Sequence, residues 1–236
     1  MGSGQQGQSG QPARSPQARA AAEALAAIAL RSVQDPAGRV RVEDYVTVVA
    51  ALTGEAALVA AGVFDIETSG LTPGSAVFGD AINDILSGDS TDLMEQPPES
   101  VAGILVAELV PATVPLALFV PLEELYRHVA ASVGTAEWGA VATTVPADHQ
   151  PTVLPLRFAF ELRPAVDEAQ AQAGLPSSLR HVPCTLALCE CLKQVRDAAD
   201  VGMTIRLALE VVFGMAKTVP MSRAAFAAVA GEERDA

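Results

Sequence analysis

Apolar residues in this chain return at intervals of three and four in run after run, a period that commits it to helices. Tyr45, Val48, Val49 and Leu52 make one such stripe; Val77, Ala81, Ile82 and Ile85 make a second; Leu122, Leu125 and Val129 make a third. Only 156–163 alternates, through Leu156, Phe158, Phe160 and Leu162, as a strand would. No other run alternates to pair with it, so it reads as a helix kinked at Pro164. The core must be built from small side chains. Half of the 236 residues are apolar, yet the aromatics are only one Trp, two Tyr and seven Phe. Ala, Val and Leu therefore fill closely packed helix contacts. The expected fold is all-α: one globular domain of about eight helices over 15–236, with residues 1–14 a disordered tail.

Local signals place the helices. Ser15-Pro16 reads as the cap and first residue of a helix with Leu25, Ile28 and Ala29 on one face, ended by Asp35-Pro36-Ala37-Gly38. A second helix covers about 42–52, is broken or kinked at Thr53-Gly54-Glu55, and resumes over 56–63. Thr72-Pro73 is expected to open another, closed by Gly88. Further helices are expected at 98–109, 121–134, 183–199, 201–219 (capped by Asp200, with Arg206 and Glu210 as a surface pair) and 221–230. Residues 135–155, including Trp138, read as a long connection.

Charge is unevenly spread. Fifteen Lys and Arg oppose twenty-eight Asp and Glu, a net charge of −13. Between Arg41 and Arg127 there is no Lys, Arg or His, but fourteen carboxylates occur, from Glu43 to Glu124. These must be solvated, face bases from elsewhere in the fold, or meet a basic partner or a cation. A chain of this balance repels phosphate backbones, so nucleic acid is not an expected partner.

The stretch 63–73, VFDIETSGLTP, resembles the first motif of the DnaQ-like (DEDD) 3′–5′ exonucleases. The resemblance covers about eleven residues and implies a strand on which Asp65 and Glu67 hold two Mg²⁺ or Mn²⁺ ions. The family's other signatures have no counterpart in this chain. Phe64-Asp65 is the only Phe-Asp pair, and no His-Asn occurs. Four residues after Tyr45 and Tyr126 stand Val49 and Ala130; five after His128, His149 and His181 stand Val133, Leu154 and Leu186. The expected role of the stretch is a turn between helices, with Asp65 and Glu67 solvated or capping and Gly70 allowing a positive φ. Asp80 and Asp84, one helical turn apart, join Asp65 and Glu67 as candidate cation ligands.

Other constellations are weaker. Cys184, Cys189 and Cys191 lie too far apart on a helix to share a zinc ion, 184 and 191 being separated by about 10 Å along the axis. They read as buried thiols in a reducing, cytoplasmic protein. The apolar runs 101–120 and 46–64 have the length of a membrane span, but Glu108 and Glu55 fall near their centres and Pro111 and Pro115 interrupt the first. The expected function is non-catalytic: a structural or protein–protein interaction protein, homo-oligomeric, with an acidic surface and no cofactor. The alternative is a metal-dependent phosphodiesterase using Asp65 and Glu67; the third reading is a membrane-associated protein.

Overall fold

A computed structural model describes residues 15–112, 114–136 and 139–232, with side chains to 228. The 1–14 tail and Trp138 lie outside the described residues. The described chain holds nine α-helices and no named strand: α1 (Pro16–Ser32), α2 (Val42–Ala61), α3 (Asp80–Leu86), α4 (Val101–Leu109), α5 (Leu122–Ser132), α6 (Pro155–Ala173), α7 (His181–Val195), α8 (Val201–Ala216) and α9 (Arg223–Glu232).

α2 is the axis of the fold. Every residue from Asp44 to Leu58 is buried, and α1, α3, α6, α7 and α8 all pack on it. A helix apolar all round has nowhere to sit but the interior. It runs unbroken through Thr53-Gly54-Glu55, where a kink was expected. Gly54 is there because α8 crosses it: a Cβ would lie 2.4 Å from the Val212 carbonyl oxygen and 2.7 Å from Met215 Cβ. That close approach outweighs the cost of about 1 kcal/mol for glycine within a helix.

Capping matches the side chains available. Ser15 Oγ accepts from Ala18 N at 3.1 Å, Ser100 Oγ from Gly103 N at 3.0 Å, and Asp200 Oδ1 from Met203 N at 2.9 Å. In α1 the buried stripe is Ala18, Ala21, Ala22, Leu25, Ala26 and Ala29, with Ile28 only half-buried. α6 is one helix with Pro164 inside. Its buried positions are Pro155, Leu156, Ala159, Val166, Ala169 and Ala173, so the alanines set the period and the alternating aromatics do not.

The helix expected from Thr72-Pro73 begins only at Asp80. Before it, 74–77 lies antiparallel to the chain leaving α8. Gly74 N donates to Val219 O at 2.9 Å, Val219 N to Ser75 O at 2.8 Å and Val77 N to Lys217 O at 2.8 Å. These bonds use backbone groups that an early helix would have needed, and Ala81, expected inside, is exposed.

The connection, described over 133–136 and 139–154, crosses the helices as a strap fastened by side chains. Asp44 of α2 accepts from Thr152 N at 2.6 Å and Thr152 Oγ1 at 2.7 Å. Glu210 of α8 accepts from Thr144 N at 2.7 Å and Thr144 Oγ1 at 2.5 Å. Both acids are buried; Glu210 is therefore not the surface partner of Arg206 that the i, i+4 spacing suggests, although Nη1 of Arg206 is 3.5 Å from it.

Candidate functional site

The stretch 63–73 is a turn leaving α2, not a strand. Asp65 Oδ1 accepts from Glu67 N and Thr68 N, both at 2.9 Å, and from Thr68 Oγ1 at 3.0 Å. These bonds hold the Asp65 carboxyl below the usual carboxylate range, the Thr68 hydroxyl contributing most. Gly70 has φ +67°. Asp65 thus closes its own loop, which the resemblance to a strand-borne metal motif did not anticipate.

Glu67 reaches across to α6 and α9. Its Oε2 accepts from Arg223 N at 3.0 Å, so a carboxylate sits at the positive end of α9. Its Oε1 lies 3.6 Å from Nη1 of Arg163. Around this contact a cleft of about 470 Å³ is lined by Phe64, Phe160, Arg163, Asp167, Arg180 and Arg223 along with the two acids. Pro164 lies on this cleft, and, having no N–H, it offers nothing to the Phe160 carbonyl one turn back.

The guanidiniums of this cleft are largely answered by the chain's own acids. Arg163 forks onto the buried Glu55 through Nε–Oε1 at 2.6 Å and Nη2–Oε2 at 3.0 Å. Arg180 meets Asp167 at 2.5 Å. Phe226 of α9 stacks on Phe160 with ring centroids 4.6 Å apart. The arrangement docks α9 and the turn onto α6.

Asp80 and Asp84 fall elsewhere, on α3, beside a second shallow cleft with Asn83, Ser87, Asp89 and Tyr126. The four carboxylates considered together as cation ligands are thus split between two clefts. Among the described residues no three His, Cys, Asp or Glu side chains are grouped to hold a metal ion. The physical reason is the late start of α3, which carries Asp80 and Asp84 away from the turn.

The fold also sorts the fourteen carboxylates of the base-free segment. Glu43, Glu55, Glu67, Glu108, Glu123 and Glu124 pair with Arg, Lys or His from outside it, and Asp44 fastens the strap. Asp80, Asp84, Asp89, Asp92, Glu95 and Glu99 make no ion pair among the described residues, and all but Glu99 are exposed. Phe78 and Met94, 56% and 64% exposed, flank this block.

Behind it sits Lys217, a residue sequence reasoning missed. Its Nζ donates to Asn83 Oδ1 at 2.6 Å and lies 5.5 Å from the centroids of both Phe78 and Tyr126. Burial pushes this ammonium below the ordinary lysine range, with Asp80 working against the shift. One signal was legible: Lys217 is a lone base at the end of an apolar helix run.

The three cysteines are free and buried on α7. Burial pushes the Cys184 thiol up to about 12 and raises the other two as well. They are thiols, not thiolates, at neutral pH, and neither nucleophiles nor ready metal ligands. Of the apolar runs, 101–120 forms a helix only to Leu109. α2 is long and apolar enough to cross a membrane, but 83% of its span is buried within the protein.

Comparison with protein-family models, with curated proteins and with solved structures finds no match.

Proposed function

We propose that the protein is a non-catalytic helical interaction module whose acidic face, residues 78–99, receives a partner with a basic, partly apolar surface. One observation carries this reading: the carboxylates from Asp80 to Glu99 lack bases of their own while Phe78 and Met94 stand exposed beside them. Asp92 and Glu95 accept local hydrogen bonds from Met94 N and Ser90 Oγ. Neither they nor the other four acids of the block form an ion pair among the described residues, whereas Glu43, Glu55, Glu67, Glu108, Glu123 and Glu124 each do. Complementary charge would speed encounter and set register, and the two apolar side chains would supply buried area. A copy of the same chain would be repelled at this face, so a homo-oligomer would use another surface.

The alternative, metal-dependent phosphodiester hydrolysis at Asp65 and Glu67, has less support, because both carboxylates are committed to donors within the fold. The mostly buried α2 favours a core helix over membrane association. Three free buried thiols fit a reducing compartment, and we assign the protein to the cytoplasm on that ground.

Capture from a cell extract tests the reading when wild type is compared with a variant carrying Phe78→Ser, Asp84→Lys, Asp89→Lys and Asp92→Lys. The expected result is a set of proteins held by wild type at low salt, released at high salt and not held by the variant. Identical retention by both proteins would refute the assignment.

A further inference from the structure

A cavity of about 280 Å³ lies under the strap, between it, α5 and α8. It differs from the arginine cleft in one respect: none of its described lining residues is charged, in a chain where 18% of residues are. Thr72 and Gly134 on its rim are exposed, so the space opens to solvent, and a ligand can enter it by displacing water from its apolar inner wall.

The polar side chains on the lining are four hydroxyls, of Thr72, Ser75, Ser132 and Thr218. Two spend their protons within the fold. Ser75 Oγ donates to Thr72 O at 2.6 Å, and Thr218 Oγ1 donates to Gly214 O at 2.8 Å. Each of these two oxygens is left as an acceptor. The apolar wall comes from Val129, Leu156 and Met215, all but fully buried.

The cavity is also preformed. Its roof, 139–142, is pressed onto α8 where Gly214 has no side chain; a Cβ there would lie 2.5 Å from Val141 Cγ1. Beyond the roof, the carboxylates of Glu210 and Asp44 fasten the strap at Thr144 and Thr152. A site that needs no ordering on binding loses less affinity to conformational entropy.

We propose that this cavity binds a small, neutral, mainly apolar organic molecule carrying one hydrogen-bond donor, such as an alcohol or phenol hydroxyl. The donor meets the acceptor oxygens of Ser75 and Thr218, and the carbon skeleton replaces water against the apolar wall. This site is separate from the acidic face and stands whether or not that face binds a partner.

Titration calorimetry on the whole chain with phenol, toluene and benzoate tests it. Phenol is expected to bind, toluene to bind about fivefold more weakly for want of one hydrogen bond, and benzoate not to bind. Ala142→Leu, which fills the space, is expected to abolish phenol binding. The Ser75→Ala, Thr218→Val variant keeps the volume and is expected to bring phenol down to the affinity of toluene. Absence of phenol binding to wild type, benzoate binding as tight as phenol, or unchanged phenol binding in Ala142→Leu would each overturn the proposal. If Ala142→Leu does not fold, an unaltered phenol-to-toluene ratio in the second variant overturns it instead.

Discussion

Arg163 and Glu55, 108 residues apart in sequence, form a forked ion pair in which both charges are withdrawn from water. Their side chains are 13% and 6% exposed, and Arg163 also donates to Met221 O at 2.8 Å. One guanidinium thereby ties α6 to the middle of α2 and to the segment leading into α9.

Removing one partner strands the other. Arg163→Leu leaves the Glu55 carboxylate buried beside apolar groups and is expected to cost about 3–5 kcal/mol, read from urea unfolding at neutral pH. The double variant Glu55→Leu, Arg163→Met should recover most of that loss, since a well-packed apolar pair can replace a buried ion pair at little cost. A double variant as unstable as the single one would show that the pair does more than neutralise itself.

Gly54→Ala forces α2 and α8 apart. The added methyl meets the Val212 carbonyl and Met215 at under 3 Å, and overpacking of that kind costs about 1–3 kcal/mol even after the gain in helix propensity. Thermal unfolding should show a lowered midpoint; an unchanged or raised one would mean that the two helices can separate without penalty.

The strap depends on two carboxylates. Asp44→Ala leaves the Thr152 N–H and hydroxyl without their acceptor, a loss of about 1–3 kcal/mol. Limited proteolysis should then cut within 133–154 faster than in wild type, while α2 and α8 stay protected. Equal cleavage rates would show that the strap is held by other contacts.

His181 gives stability a pH dependence with a definite sign. Burial holds its imidazolium below the ordinary histidine value of 6.5, while the bond to the Glu99 carbonyl partly resists. The folded state therefore binds the proton more weakly than the unfolded chain. Its contribution is fully present above pH 6.5 and is lost as pH falls from there toward the folded value. His181→Leu should flatten the fall in stability as pH drops below 6.5; a slope identical to wild type would place the pH dependence on other groups.

The buried thiols make a simpler forecast. An aromatic disulfide reagent should leave Cys184, Cys189 and Cys191 untouched in the native protein and label all three once it is denatured. Rapid labelling of any one of them under native conditions would contradict their burial.

Much of the fold was legible because helix signals are local. The caps at Ser15 and Asp200 and the stripe through Leu122, Leu125 and Val129 follow from spacing and capping chemistry alone, whereas 156–163 alternates like a strand and reads as a helix only because no other run alternates to pair with it. The misread boundaries have non-local causes. Gly54 looks like a break until α8 is known to lie against it, and Thr72-Pro73 looks like a helix start until 217–219 takes up the backbone groups of 74–77.

The candidate sites follow the same division. The exclusive use of acids over 42–126 was visible in the sequence, as was the chance that Asp65 caps a turn. Which acids would find bases was not, because Glu55 and Arg163 or Glu67 and Arg223 meet only through tertiary packing. The surroundings of Lys217 and the cavity under the strap were hidden for that reason too.

The central claim is that the unpaired acids from Asp80 to Glu99, with Phe78 and Met94, form a binding face for a basic, partly apolar partner. Fluorescence anisotropy with a labelled helical peptide bearing Lys on one side and Leu on the other tests it most directly. Wild type should bind with an affinity that falls as salt rises. The variant Phe78→Ser, Asp84→Asn, Asp89→Asn, Asp92→Asn should bind at least about tenfold more weakly. Equal binding by the two proteins, or none by wild type at low salt, would contradict the claim.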